Sequence, residues 1–298
     1  MSTMPPLSIS EKDFALIRDI VYEHSGIKLK DSKRALVTNR LRKRLIALDM
    51  KDFGQYCALL RTRDGLRREL EEVIDSLTTN ETYFFRESKH FDVLMKTVFP
   101  AAKAKPGKSV SIWCAGCSTG QEPYTAAICA LEFMAAEKCR LPVSIFASDI
   151  SPTALAEAKA GAYPERKTKG LAPHHLRTYF DKTPEGFSVK KELRNIVRFQ
   201  QLNLLTEKPN QRFDVIFCRN VMIYFDADSQ AKVVANIRDC LAREGMFFIG
   251  HAESLYRNSQ GFEVERIDNA IVYRKTEEKP FSSKPVLPAS PINTMEKR

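Results

Sequence analysis

The 298-residue chain has no apolar run approaching the roughly 20 residues of a membrane-spanning helix, and its start, MSTMPPLSISEKDF, lacks the apolar stretch of a secretory signal. A cytoplasmic protein without membrane insertion is expected. Its seven cysteines are odd in number and scattered, which argues for reduced thiols over a disulfide framework. Cys114 and Cys117 form one C-x-x-C, but no second pair or nearby histidine completes a zinc site. His24, His90, His174, His175 and His251 show no ligand spacing, so no metal is expected. There is no internal repeat. Acid is scarce where base is dense: residues 28–44 carry Lys28, Lys30, Lys33, Arg34, Arg40, Arg42, Lys43 and Arg44 against the single acid Asp31. With a net charge of +10 overall, this implies an acidic partner.

What is present suffices for a packed core. The length exceeds one typical domain and 43% of residues are hydrophobic, so two units are expected. The most informative stretch is VSIWCAGCSTGQEPY at 110–124: a short apolar strand, a turn bracketed by Gly116 and Gly120, and a helix opened by Glu122 and Pro123. Glycine permits positive φ and close approach of a ligand, and the free N–H groups of a helix start favour negative charge. Two later strands end in suitable partners. Residues 143–147 run into Ser148 and Asp149, and 213–218 run into Arg219 and Asn220. Ligands of open α/β sheets sit at the carboxyl ends of strands, so these three ends are expected to face one crevice. An acid closing the second strand suits the two hydroxyls of a ribose, and it equally suits a helix cap. Gly116-x-x-x-Gly120 does not match the G-x-G-x-x-G of common nicotinamide binders.

Residues 8–89 have helical periodicity. Ser10 suits a cap, with Phe14, Ile17, Ile20 and Val21 at helical spacing behind it. A second helix starts near Asp31 or Ser32 with Leu36, Val37, Leu41 and Leu45 as its buried stripe, leaving the basic groups on its remaining surface. Such a face is ordinarily just solvated; its density here favours docking. Further helical stretches at 54–60 and 66–77 complete a small bundle. Residues 78–87, TTNETYFFRE, join it to an α/β unit whose first strand begins near Lys108. An arginine such as Arg86 at a junction is ordinarily a structural ion pair, yet junctions are also where binding sites concentrate. From 161 to 194 the alternation breaks into an insertion holding a hairpin or three short strands. The sheet resumes at 196–202 and closes with strands at 246–250 and, after the segment 262–266, at 270–274. The expected division is a helical domain at 1–89, an α/β domain at 90–275 with 161–194 inserted, and a disordered, Pro-, Ser- and Lys-rich tail at 276–298.

Five ordered motifs, NETYFFRE at 80–87, WCAGCSTGQEPY at 113–124, SDI at 148–150, NLL at 203–205 and FCRNVMIYF at 217–225, resemble the chemotaxis receptor methyltransferases, the CheR family. The likeness covers nearly the whole chain to about Arg274. It implies a class I S-adenosylmethionine-dependent methyltransferase: a Rossmann-like, doubly wound α/β sheet with an N-terminal all-α domain and a small inserted β-subdomain. It further implies methyl transfer from S-adenosyl-L-methionine, leaving S-adenosyl-L-homocysteine, to glutamate side chains of methyl-accepting chemotaxis receptors. The enzyme would be a monomer recruited to receptor arrays at the membrane and serving adaptation in bacterial chemosensory signalling. Carried over by position, the donor site is Asn80, Thr82, Arg86, Glu122, Asp149, Asn203, Leu204, Asn220 and Val221. Within it Glu122 faces the ammonium of the methionine moiety, Asp149 accepts the ribose hydroxyls, and Asn203 with Leu204 borders the adenine. Arg86 and Tyr224 lie nearest the methyl group, and Arg40, Lys43 and Arg44 dock the glutamate-rich receptor. In some members the inserted hairpin also grips a peptide at the receptor's C-terminus; here the connection 181–187 is short, and that second contact stays open.

Three other classes fit part of the chain. Residues 116–120, GCSTG, satisfy the G-x-S-x-G of serine hydrolases with His251 downstream, but no HGG-type oxyanion segment accompanies them. A nucleic-acid methyltransferase suits the pI of about 9.2, yet residues 219–222, RNVM, lack the proline pair and aromatic residue usual in base-amine methyltransferases. No nucleic-acid partner is therefore expected. A binding module that kept the fold and lost catalysis is opposed by the intact Arg86, Glu122, Asp149 and Tyr224.

Overall fold

The computed structural model describes residues 8–255 and 261–276. At the amino end, α1 (Glu11–Ser25) is opened by Ser10, whose hydroxyl accepts from the Asp13 N–H, and closed by Gly26 at φ 73°. A 3-10 turn at Asp31–Lys33 leads into α2 (Arg34–Ala47). Asp52 caps α3 (Phe53–Leu60) and Thr62 caps α4 (Arg63–Leu77). Each cap satisfies an N–H that a first helical turn leaves open. Phe14, Ile17 and Val21 of α1 meet Val37, Leu41 and Leu45 of α2, and Tyr56, Leu60 and Val73 close the same core.

A helical rod follows that the sequence pattern does not announce: α5 (Lys89–Val93), a π turn (Leu94–Val98) and α6 (Phe99–Lys103). Ser88 makes no side-chain cap there, and Pro100 reads as a break. In a regular helix its ring would clash with the carbonyl four residues back; the π turn just ahead of it shifts the ladder.

The sheet begins with β1 (Val110–Ala115), α7 (Gln121–Ala136), β2 (Val143–Asp149) and α8 (Pro152–Ala160). The insertion then supplies β3 (Ala162–Tyr163), α9 (Pro173–Tyr179), β4 (Phe180–Thr183) and β5 (Gly186–Val189), its three strands forming an antiparallel sheet in the order β3-β5-β4. After α10 (Lys191–Arg194) come β6 (Val197–Gln201), β7 (Phe213–Cys218), a 3-10 turn at Met222–Tyr224, α11 (Ala227–Cys240), β8 (Leu241–Ile249), β9 (Phe262–Ile267) and β10 (Ala270–Lys275). The main sheet has the order β6-β2-β1-β7-β8-β10-β9. Neighbouring strands are parallel from β6 to β8, and β10 is antiparallel to both β8 and β9. Strand order reverses between β1 and β7, the place where a crevice opens in such sheets.

Alternate residues of a strand point to opposite faces. Ile112, Cys114, Val215 and Phe217 pack with Ala127 and Ile128 of α7, while Trp113, Ile216 and Phe247 pack with Val233 and Ile237 of α11. The helical bundle is bonded to the loops at the sheet's carboxyl edge. The Lys28 N–H donates to the Tyr224 carbonyl at 2.8 Å, Ile27 bridges to Phe225, and the Tyr22 hydroxyl donates to Asp226 at 2.7 Å. Asn203 Nδ2 donates to the His24 carbonyl at 2.7 Å, and the Ser151 hydroxyl donates to Asp75. Of the tail expected from 276, residues 277–298 lie outside the described residues.

Candidate active site

The carboxyl ends of β1, β2 and β7 and the loop after β6 surround a cleft of about 1010 Å³, open mouth included, walled on its other side by residues 77–83, Ser25 and Ile27. Gly116 and Gly120 stand at φ 80° and 94°. A Cβ on Gly116 would meet Val221 at 2.4 Å, and one on Gly120 would meet both Ala158 and the Tyr163 hydroxyl at 2.9 Å, so both positions require glycine. In the turn between them the Ser118 N–H donates to Asp149 Oδ2 at 2.7 Å, and the Ser151 N–H donates to Oδ1 at 3.0 Å. Burial pushes the Asp149 carboxyl up, and these backbone donors pull it back. The Ser118 hydroxyl donates to the Asn80 carbonyl at 2.8 Å, while His251 lies beside Glu87, 4.0 Å away. Ser118 therefore has no imidazole base among the described residues, and the hydrolase reading fails.

Residues 80–87 form a strained clamp. Phe84 is buried edge-on against Tyr163 and Phe180 of the insertion at 5.2 and 5.6 Å. Phe85 stacks on His175 at 4.8 Å, and its N–H donates to Thr125 Oγ1 at 3.2 Å. Phe85 and Glu87 both have positive φ, 55° and 53°, a conformation that costs a non-glycine residue ~1–3 kcal/mol and persists only where the surroundings impose it. Between them Arg86 rests over the Tyr83 ring at 5.7 Å and donates to the Glu81 carbonyl at 3.1 Å, with its guanidinium in the cleft wall.

Under this clamp lies a charge cluster that no single motif announces. The Arg219 side chain, 1% exposed, pairs through Nη1 with Glu122 at 3.1 Å and through Nη2 with Glu87 at 3.3 Å, and Nη2 also donates to the Arg86 carbonyl. Phe91 and Phe217 flank its guanidinium at 5.4 and 5.9 Å. Burial pushes Glu122 up against the pull of Arg219. Burial also pushes Glu87 up, but there Arg219, the His251 backbone N–H and the charges of His251 and His90 together outweigh it and hold the carboxyl below the usual range. Beyond the cluster, Glu253 accepts from the N–H groups of Gly250, Asn220 and Ile223 at 2.6, 2.8 and 3.2 Å. It pins the loop in which Asn220 stands at φ 59°.

Asn80, Thr82, Arg86, Glu122, Asp149, Asn203, Leu204, Asn220 and Val221 all line the cleft, as does Tyr224. The basic helix is more divided. Arg40 donates to the Leu77 and Thr78 carbonyls at 3.0 and 2.6 Å, closing the end of α4, and Arg44 grips Glu69 with two bonds of 3.1 and 2.7 Å. Lys43 is exposed and makes no ion pair among the described residues. The sequence marks Arg219 as a strand end facing the crevice but assigns it no role, and it does not single out Glu87, Glu253 or the wall formed by Ser25 and Ile27. Arg219 stands inside a quoted motif, at the strand end, and its arginine was the available signal.

Two histidine clusters contradict the impression of scattered histidines: Glu87, His90 and His251, and Glu132, His174 and His175, each have ligand atoms within 4.8 Å of one another. In the first, Arg219 already pairs with Glu87 and opposes a second cation. In the second, His175 Nδ1 accepts the Ala172 N–H at 3.2 Å, so its Nε2 carries the proton toward Glu132 at 3.2 Å and has no lone pair to offer.

The seven-stranded order with its antiparallel β10, the glycine turn after β1 and the acid closing β2 define a class I S-adenosylmethionine-dependent methyltransferase fold. Residues 80–271 match the family described as CheR methyltransferase, SAM binding domain, and residues 12–78 match CheR methyltransferase, all-alpha domain. The chain belongs to the CheR methyltransferase family. Among its relatives, the chemotaxis protein methyltransferase of Borreliella burgdorferi is 38% identical over 85% of this chain and 91% of its own length. That of Salmonella typhimurium is 39% identical over 83% and 85%. Chemotaxis protein methyltransferase 1 of Pseudomonas aeruginosa is 36% identical over 90% and 99%. The donor fits the residues present: the cleft carries Asp149 at the end of β2 and Glu122 in the first turn of α7, and Asn220, which also lines it, has a buried Oδ1 with no hydrogen-bond partner among the described residues.

Proposed function

We propose that this methyltransferase esterifies glutamate side chains on the cytoplasmic domains of methyl-accepting chemotaxis receptors. The observation that carries the reading is the convergence of Arg86 and Tyr224 on a cleft that also holds Glu122 and Asp149. S-Adenosylmethionine, when bound, supplies a methyl group activated by a cationic sulfur. Asp149 takes the ribose hydroxyls, Glu122 the ammonium, and Asn203 and Leu204 border the adenine. Arg86 holds the acceptor carboxylate in a two-pronged pair beside Tyr224. No protein base is needed, because a glutamate with a reference pKa of about 4.3 is already an anion at neutral pH. Chain residues contribute by alignment and by excluding water, effects that reach several kcal/mol in well-oriented reactions. Docking falls to the exposed basic groups of α2 and the turn before it: Lys43 and Arg42 of the helix, with Lys33 of the turn, leave their charge in solvent for a glutamate-rich helix.

The test is transfer from methyl-labelled S-adenosylmethionine to receptor-containing membranes, followed by mild alkali. Release of volatile methanol is expected, as a carboxyl methyl ester requires. Alkali-stable label would move the reaction to nitrogen and overturn the reading.

A further inference from the structure

We propose that Arg219 is a positioning residue for the donor site: its buried guanidinium holds Glu122 aimed into the cleft and locks that carboxylate to the backbone of the segment that presents Arg86. This deepens the proposed function and rests on its assignment of Glu122 to the donor's ammonium.

Four observations converge. Arg219 is 1% exposed and lies between two carboxylates, Glu122 at 3.1 Å and Glu87 at 3.3 Å. The same Nη2 that faces Glu87 donates to the Arg86 carbonyl, so one planar group fixes an element of the donor half and an element of the acceptor half together. Phe91 and Phe217 hold the guanidinium plane from its flanks at 5.4 and 5.9 Å, which leaves the fork one orientation. Finally, two carboxylates face one buried guanidinium, and the second cation that Glu122 faces, Arg86, stands in the cleft wall. Without Arg219, Glu87 and Glu122 would face each other in a desolvated site, where two like charges cannot both persist near neutrality. One would take a proton.

The groups that could confuse a pH profile can be named. Glu122 faces Arg219 and Glu87, the thiol of Cys114 on β1, and Arg86; the Cys114 thiol is pushed well up by burial and stays neutral. Glu87 faces Arg219, His90 and His251. Burial, helped by Arg219, holds His90 down at about 3, so it too is silent above pH 6. A His251→Gln background removes the exposed imidazole.

In that background, the affinity for S-adenosylhomocysteine, which retains the ammonium, is measured by calorimetry between pH 6 and 8. Glu122→Gln should weaken binding at least tenfold. Arg219→Met should weaken it at least tenfold at pH 6 and recover several-fold by pH 8, while the parent stays flat. Arg219→Met combined with Glu87→Gln removes the repulsion, so it should fold even if the single variant does not, and should bind more tightly at pH 6 than Arg219→Met or, failing that, with a flat profile within threefold of the parent. Weak binding in Arg219→Met that is flat with pH and unrelieved by Glu87→Gln would overturn the positioning role alone. Normal binding by Glu122→Gln would overturn it together with the donor-site reading.

Discussion

At the scale of single residues, the site is a set of charges taken out of water in matched groups. His90 shows what this costs. Burial and the nearby Arg219 hold its imidazole at about 3, whereas a histidine of the unfolded chain titrates near 6.5. Between those values the unfolded state binds a proton that the folded state refuses, so stability falls as pH drops through the window, by up to ~1.4 kcal/mol per pH unit. Glu87, held low against its burial by Arg219 together with His251 and His90, acts with the same sign but only below the unfolded carboxylate's pKa of about 4.3. His90→Gln is therefore expected to flatten the stability profile between about pH 6.5 and 4.5, read as urea midpoints at pH 8 and 5. An acid loss equal to that of the unsubstituted protein would acquit His90.

At the scale of elements, α2 separates structural charge from free charge along one helix. Glu69, 4% exposed, accepts two bonds from Arg44 and one from the Tyr56 hydroxyl at 3.1 Å. Arg44→Ala leaves that carboxylate buried and unpaired, and the expected loss is about 3–5 kcal/mol in urea unfolding. Lys43→Ala, at an exposed position, should stay within about 0.5 kcal/mol of the parent. The docking roles divide the same way. Lys43→Glu with Arg42→Glu should raise the receptor KM severalfold and steepen neither donor affinity nor unfolding, and the KM increase should shrink at high salt. An unchanged KM would remove α2 from docking. Arg40→Glu is no clean test, because Arg40 closes the end of α4 three residues before Asn80.

At the scale of the whole molecule, the cleft belongs to both units. Ser25, Ile27 and Leu77 of the bundle face Asp149 and Asn220 of the sheet, and a backbone bond from Lys28 to Tyr224 and a side-chain bond from Asn203 to the His24 carbonyl join the walls. A ligand filling the cleft should then stabilise the two together. S-Adenosylhomocysteine at 100 times its Kd should add ~2.7 kcal/mol to unfolding. Hydrogen exchange should slow at the Lys28 amide as well as at the Ser118 amide. Protection confined to the sheet's loops would show that the bundle is a passive neighbour of the site.

Local chemistry was legible from the chain alone. Gly116 and Gly120 mark a turn whose backbone angles other residues resist, Ser10 caps a helix within three residues of itself, and apolar spacing separates the helices of the bundle from the strands of the sheet. The ordered motifs carried the family and placed the ten cleft residues named above, because each motif sits on a strand end or the clamp. The helix at 89–103 was hidden, since its π turn breaks the helical period and its proline mimics a stop. The partners of the long charged side chains were hidden too. Arg44 finds Glu69 25 positions away, and Arg219 finds Glu122 97 away and Glu87 nearer 130. Periodicity and spacing report neighbours in sequence, while a guanidinium settles wherever folding leaves a buried carboxylate to neutralise. Which arginines hold the molecule together and which basic groups stay free for a partner was therefore decided only by the tertiary structure.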